Sequence, residues 1–207
     1  EGHFELVLAN AAHVKNVPGR KTDVNDAMWL ADLLAHGLIR ASFVPPVAVQ
    51  ELRTLTRSRT RFVRGRSAHA QRIDKVLEDA NLKLSTVLSD ILGMSGRAVL
   101  RALIDGQSDP ERLALCISTR VKASRAELLE ALRGHISKHQ RFMLELHLGH
   151  IDALDAAIAA IETEVGQGLE TFRQAAKLLS TMPGLSAVGS NVVIAEIGID
   201  MSRFATP

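Results

Sequence analysis

The chain has 207 residues, 46% of them hydrophobic but only 3% aromatic, with no tyrosine; that apolar share suffices for a packed core, which must be aliphatic. A net charge of +2 says little about a nucleic-acid partner, so that question falls to local clusters. The single cysteine, Cys116, excludes an intramolecular disulfide, and no signal peptide or apolar span of membrane length is present, so the sequence reads as cytoplasmic with no membrane partner.

Phe4-Glu5-Leu6-Val7-Leu8-Ala9 predicts a short buried strand, and Asn10 to Lys21, with Pro18 and Gly19, predicts a loop. Ala27, Leu30, Ala31, Leu33 and Leu34 then recur at helical spacing, with Thr22 or Asp23 as the N-cap and Gly37 as the stop. Asp23 and Asp26 are an i, i+3 pair and share one helix face. Two uses are open to them. They can cap free backbone N–H groups at the positive end of the helix dipole. They can also supply half of a divalent-metal site, since Mg²⁺ takes hard oxygen ligands from one or two carboxylates plus substrate phosphates. A short strand is expected around Ile39 to Val44. One strand and one helix cannot cover both faces of a sheet, so residues 1–45 read as the tail of a larger α/β domain. Trp29 on this helix reads as core.

Pro45-Pro46 breaks the chain, and a long helix is expected from Val47 to about Leu84. Residues 51–75 carry Arg53, Arg57, Arg59, Arg61, Arg64, Arg66, Arg72 and Lys75 against only Glu51 and Asp74, a local charge of +6. Arg53, Arg57, Arg61 and Arg64 form one stripe, either a solvated face or a phosphate-binding one; the scarcity of acids favours the second. Leu52, Leu55, Phe62, Ile73, Val76 and Ala80 form an apolar seam that Arg59, Arg66 and His69 interrupt. Residues 85–135 predict short helices broken at Gly93, Gly96, Gly106, Asp109-Pro110 and 118–124. Cys116 reads as a small core residue, and His135, His139, His147 and His150 as structural or solvated rather than zinc ligands.

Residues 136–166 carry the clearest period. Leu144, Ile151, Ile158 and Val165 are seven apart, and His147, Leu154 and Ile161 interleave. This heptad pattern predicts a coiled coil whose partner is the 47–84 helix or another subunit. Because burying Arg59, Arg66 and His69 unpaired would be unfavourable, the seam is expected to make a homodimer that leaves the arginines for nucleic acid. Gly166 and Gly168 end the helix, and Leu169 to Thr181 forms the next. Met182-Pro183-Gly184-Leu185-Ser186 to Gly198 resembles a helix-hairpin-helix turn, in which Gly184 and Ser186 would face a DNA phosphate; an ordinary helix corner fits equally, and no Lys or Arg lies between 182 and 202.

The run His13-Val14-Lys15-Asn16-Val17-Pro18-Gly19-Arg20-Lys21-Thr22-Asp23-Val24-Asn25-Asp26-Ala27-Met28-Trp29-Leu30 closely resembles a signature of the DEDD-type transposases of bacterial insertion sequences, the bridge-RNA-guided recombinases. The resemblance continues through Leu33 to Pro46, recurs at Leu77 to Leu84, and returns at Met182-Pro183-Gly184-Leu185 and from Ala195 to Phe204. It implies that Asp23 and Asp26 are the last two members of the acidic tetrad, both catalytic and metal-binding, with Mg²⁺ or Mn²⁺ as cofactor. It further implies that the tetrad's first Asp and its Glu lie upstream of residue 1 and the nucleophilic Ser lies downstream of Pro207, so that the chain is an inactive middle piece.

The expected fold is thus mainly α. Residues 1–45 would be the C-terminal part of a ribonuclease-H-like, resolvase-type domain, 46–168 a helical coiled-coil region, and 169–207 the start of a helical transposase domain. The expected function is DNA transposition, binding, cutting and rejoining DNA at element ends. DNA, a guide RNA and a second copy or higher oligomer would be the partners. Two alternatives stand beside it: a non-catalytic helical module for nucleic-acid binding and dimerisation, and a junction-resolving nuclease.

Overall fold

The computed structural model describes residues 6–15 and 26–203, with the backbone alone at positions 15, 26 and 203. The architecture is mainly helical. In chain order the helices are α1 (Ala11–Lys15), α2 (Asp26–Ala35), α3 (Val47–Asp79), α4 (Leu84–Val87), α5 (Met94–Ile104), α6 (Pro110–Leu115), α7 (Arg125–Ala131), α8 (Lys138–Gly168), α9 (Arg173–Ser180) and α10 (Ala187–Ile197), with short 3₁₀ turns at Glu170–Phe172 and Met201–Arg203.

The two strands expected near the start are reduced to a single antiparallel bridge between Ala9 and Ala41, backed by the Ser42 amide donating to the Leu8 carbonyl at 2.6 Å. Nor is the first of them buried: Leu6 is 83% exposed and Leu8 58%, while Phe4 and Glu5 lie outside the described residues. An apolar run becomes a strand only where neighbouring strands take its amides and carbonyls, and here one bridge is all that does so among the described residues. The stop at Gly37 is as expected. Its φ of +67° lets the Leu38 amide reach the Leu33 carbonyl and the Gly37 amide the Leu34 carbonyl, closing α2 in a Schellman motif. Leu33 is buried and Trp29 half-buried.

Helix α3 begins directly after Pro46, whose carbonyl accepts from the amides of Val49 and Gln50. It ends at Asp79, earlier than the expected Leu84. Asn81 adopts φ +59°, and the amides of Asn81 and Leu82 turn back to the carbonyls of Glu78 and Leu77. Asn tolerates this left-handed conformation better than most residues, so the turn sets the end of the helix. Helix α8 starts at a reciprocal cap: the Ser137 hydroxyl accepts from the Gln140 amide, and the Gln140 side chain accepts from the Ser137 amide.

Helices α3 and α8 pack antiparallel within the chain. Leu52 lies against Gly168, Arg59 against Glu162, Gly65 against Leu154, Arg66 against Asp155, and His69 against His147. The heptad seam of α8 is therefore filled by α3 of the same chain. This corrects the expectation that the seam joins two copies.

Two apolar cores sit at the two ends of this hairpin. At one end Ile73 and Leu77 of α3 and Leu144, Leu148 and Ile151 of α8 are buried together with Leu84, Leu88, Leu100, Leu103, Leu113 and Leu132 from the short helices between them. At the other end Leu52, Val165 and Leu169 bury Ile194 and Ala195 of α10, with Phe172, Ala175, Ala176 and Leu179 packed alongside. The first core needs one close backbone crossing. A Cβ on Gly134 would meet the Ala80 carbonyl oxygen at 2.4 Å, and that carbonyl already accepts from the His135 amide at 2.9 Å.

Candidate nucleic-acid interface

The arginine stripe of α3 divides into two pairs. Arg53 and Arg57 face the C-terminal end of α10. Arg53 donates from Nε to the Ala195 carbonyl at 3.1 Å and from its terminal nitrogen to the Glu196 carbonyl at 2.7 Å. A helix C-terminus presents unpaired carbonyls and the negative end of its dipole, so a guanidinium there is doubly favoured. Arg57 grips the Glu196 carboxylate with both prongs, Nε to Oε1 and the terminal nitrogen to Oε2, each at 2.8 Å. Those hydrogen bonds and the adjacent positive charge hold the Glu196 carboxyl below the usual carboxylate range, although partial burial opposes them. The same contacts raise the Arg57 guanidinium above its ordinary value.

Arg61 and Arg64, one and two turns further along, are exposed and have no ion-pair partner among the described residues. With Thr56, Arg57 and Thr60 of α3 and Val192 and Glu196 of α10 they line an open groove of about 220 Å³. Of the four stripe arginines, then, Arg53 is a staple between helices, Arg57 is engaged at the surface, and Arg61 and Arg64 face solvent.

The arginines that interrupt the seam are not left for nucleic acid. Both nitrogens of the Arg59 fork donate to Glu162 Oε1, at 2.9 and 2.6 Å, and Arg66 Nε donates to Asp155 Oδ1 at 2.6 Å. Arg97 of α5 completes the second group, reaching Asp155 Oδ2 at 2.8 Å and pairing with Asp152. His69 and His147 meet Nδ1 to Nδ1 at 3.1 Å, and the His150 ring stacks tilted on His69 with centroids 4.8 Å apart. Burial first, then the neighbouring imidazoles and Arg72, hold His69 and His147 below the ordinary histidine value.

At the other end of α10, Gly184 takes φ +84° in the turn after α9, and the Leu185 amide closes back on the Met182 carbonyl at 3.1 Å. The Ser186 hydroxyl accepts from the Gly189 amide at 3.1 Å and so caps α10. Gly184 and Ser186 are exposed. They sit at the N-terminal end of α10 while the arginines hold its C-terminal end, a helix length of roughly 16 Å away. The two halves of the expected interface are therefore not adjacent.

Asp26 is the first residue of α2, and Asp23 lies outside the described residues. Among the described residues, no group of three or more His, Cys, Asp or Glu side chains is gathered to hold a metal ion. The sequence reading missed Glu196, Glu162 and Asp155, the acids that decide which arginines are free. Glu162 and Asp155 had a readable signal, because they are seven residues apart, as are Arg59 and Arg66.

Residues 1–82 match the family model of the IS110-type DEDD transposases, described as Transposase. That segment contains the Asp23 and Asp26 pair and all of α3. No curated protein and no solved structure matches the chain. No helix among the described residues is long and apolar enough to cross a membrane. Over its first 82 residues the chain is thus similar to the IS110-type transposases, a likeness that supports a role in DNA transposition in general.

Proposed function

We propose that, within this transposase family, the chain joins a metal-dependent acid pair to a basic helix that holds DNA, and so takes part in cutting and rejoining DNA at the ends of a mobile element. The observation that carries the reading is the extent of the family match, which spans Asp23, Asp26 and the whole of α3. Two carboxylates three residues apart are hard oxygen donors, and their chemistry fits Mg²⁺ or Mn²⁺. Such an ion, when bound, polarises the phosphodiester. The part of the chain's own residues is to hold that ion through Asp23 and Asp26 and to fix the register of the DNA backbone through Arg61 and Arg64, with Arg57 beside them. Gly184 and Ser186 would make a separate, weaker phosphate contact in the manner of a helix-hairpin-helix turn.

On this reading residues 1–45 belong to a ribonuclease-H-like domain, and a guide RNA shares the basic surface with DNA. An oligomer would have to form through a face other than the α8 seam, which α3 fills. Asp23→Asn and Asp26→Asn test the proposal in a strand-exchange assay on element-end DNA with Mg²⁺, run on a full transposase that supplies the rest of the acidic tetrad and the nucleophilic Ser. Each should abolish exchange while DNA binding stays near that of the unsubstituted protein. Normal exchange by either variant would overturn the metal role and favour a non-catalytic binding module. Exchange lost, with cleavage of branched DNA retained by the unsubstituted protein alone, would favour a junction-resolving nuclease.

A further inference from the structure

We propose that the Glu196 carboxylate occupies a nucleic-acid phosphate site on α3, so that backbone binding proceeds by exchange of a phosphate for Glu196 at Arg57. This inference rests on the reading of α3 as the DNA-holding helix and adds how that surface is regulated.

The geometry at Arg57 is the reason. A guanidinium offers two parallel N–H donors whose spacing suits a carboxylate and a phosphate alike. Arg57 uses both on Glu196, at 2.8 Å each. The contact is at the surface, with the Arg57 side chain 60% exposed and that of Glu196 34%. Ion pairs of this exposure contribute little net stability, so a competing anion can displace one. The groove that contains the pair is open and continues along α3 to Arg61 and Arg64. Three guanidinium groups spaced one helical turn apart, two of them without a partner among the described residues, make a track along which the carboxylate fills a single position.

Exchange need not undock α10. Arg53 holds the helix through the main-chain carbonyls of Ala195 and Glu196, and Ile194 and Ala195 remain buried in the core below. Only the Glu196 side chain has to swing out. Because Arg57 hydrogen-bonds to it, that side chain stays ionised through neutral pH, and the competition is one anion against another. The contact thus sets a threshold: a lone phosphate gains little over the carboxylate already in place, whereas a nucleic-acid strand that also engages Arg61 and Arg64 wins through the additional contacts and the counterions they release.

The test is fluorescence anisotropy of a labelled 30-base-pair duplex, titrated with the protein and its variants between about 50 and 200 mM salt, the range over which phosphate contacts show their salt dependence. Glu196→Gln should tighten binding by roughly three- to tenfold at the low end and steepen the log–log salt slope by about one, the increment for one extra phosphate contact. Arg57→Ala should erase that gain, so that Arg57→Ala and the double variant Arg57→Ala, Glu196→Gln bind alike. Should Glu196→Gln melt early, Glu196→Asp keeps the charge but is one methylene too short for the fork, and it should show the same tightening. If the double variant Arg61→Ala, Arg64→Ala binds more weakly while both Glu196 variants leave affinity and slope unchanged, the exchange is wrong and the DNA-holding helix stands. If none of these substitutions changes binding, both fall. Weaker binding by Glu196→Gln would also overturn the exchange, because Glu196 would then be building the site rather than filling it.

Discussion

Asp155 is the position at which the hairpin is most sharply testable. Its carboxylate accepts from Arg66 of α3 on one oxygen and from Arg97 of α5 on the other, at 2.6 and 2.8 Å, so one side chain ties three helices. The side chains of Asp155, Arg66 and Arg97 are 38%, 35% and 20% exposed, between a surface pair and a buried one. A hydrogen bond to a charged group is worth about 1.5–3 kcal/mol when sheltered, and an exposed ion pair about 0–1 kcal/mol, so two contacts at this exposure sum to roughly 2 kcal/mol. Asp155→Ala should therefore lower the melting temperature by about 4–8 °C in a chain of this size. Thermal unfolding followed by far-ultraviolet circular dichroism measures this. The deficit should shrink in 1 M salt, where the screening length falls to about 3 Å. A double-mutant cycle with Arg66→Ala should return a coupling of at least about 0.5 kcal/mol. A variant melting within a degree of the unsubstituted protein, or strictly additive single effects, would refute the pairing and with it the account of how α3 tolerates arginine on its seam.

Gly134→Ala should destabilise the chain by about 2–3 kcal/mol, because the obstacle to a new Cβ is the Ala80 carbonyl rather than a mobile side chain; an unchanged denaturant midpoint would contradict the close crossing. His69 and His147 hold protons less readily folded than unfolded, so the unfolded chain binds more protons just below the ordinary histidine value. Their contribution to stability is accordingly complete above about pH 6.5 and declines as the pH falls below it. Melting temperatures between pH 8 and pH 5 should show this decline, and His147→Gln should flatten it; parallel profiles would rule the histidine cluster out as its source.

Periodicity made the two long helices legible because they bury continuous stripes. Leu144 and Ile151 of α8, and Leu52 and Ile73 of α3, are buried where the spacing put them. Turn chemistry gave the stop at Gly37, and it marked the cap at Ser186 as a small-residue position. The end of α3 was less readable, because apolar residues at 82 and 84 continue the pattern while Asn81 turns the backbone away. The apolar run before residue 10 misled for a different reason. Six residues without their sheet neighbours carry no information on what will take their hydrogen bonds, and among the described ones, from Leu6 on, a single bridge to Ala41 does so. Asp23 was legible as wording, not as geometry, and the described residues add nothing to it.

The choice between hairpin and homodimer turned on whether Arg59 and Arg66 would find acids. In an antiparallel pair, partners run in opposite directions and preserve the heptad interval. Leu52, Arg59, Arg66 and Ile73 on α3 are each seven apart, and so are Leu148, Asp155 and Glu162 on α8 and Leu169 at its C-cap. Laid antiparallel, the two series put Leu52 with Leu169 at one end, Ile73 with Leu148 at the other, and arginine on carboxylate at the two middle positions, which is the arrangement the ion pairs show. Charges flanking a coiled-coil seam commonly select partner and orientation in this way. The two arginines on the seam therefore specify register, and their presence argues for this partner and not for a second copy. It follows that the positive charge of α3 is not one surface. Arg59 and Arg66 are spent on the hairpin and Arg53 on α10, which leaves Arg61 and Arg64, joined by Arg57 under the proposed exchange, as the part of the stripe open to an outside anion without taking the fold apart.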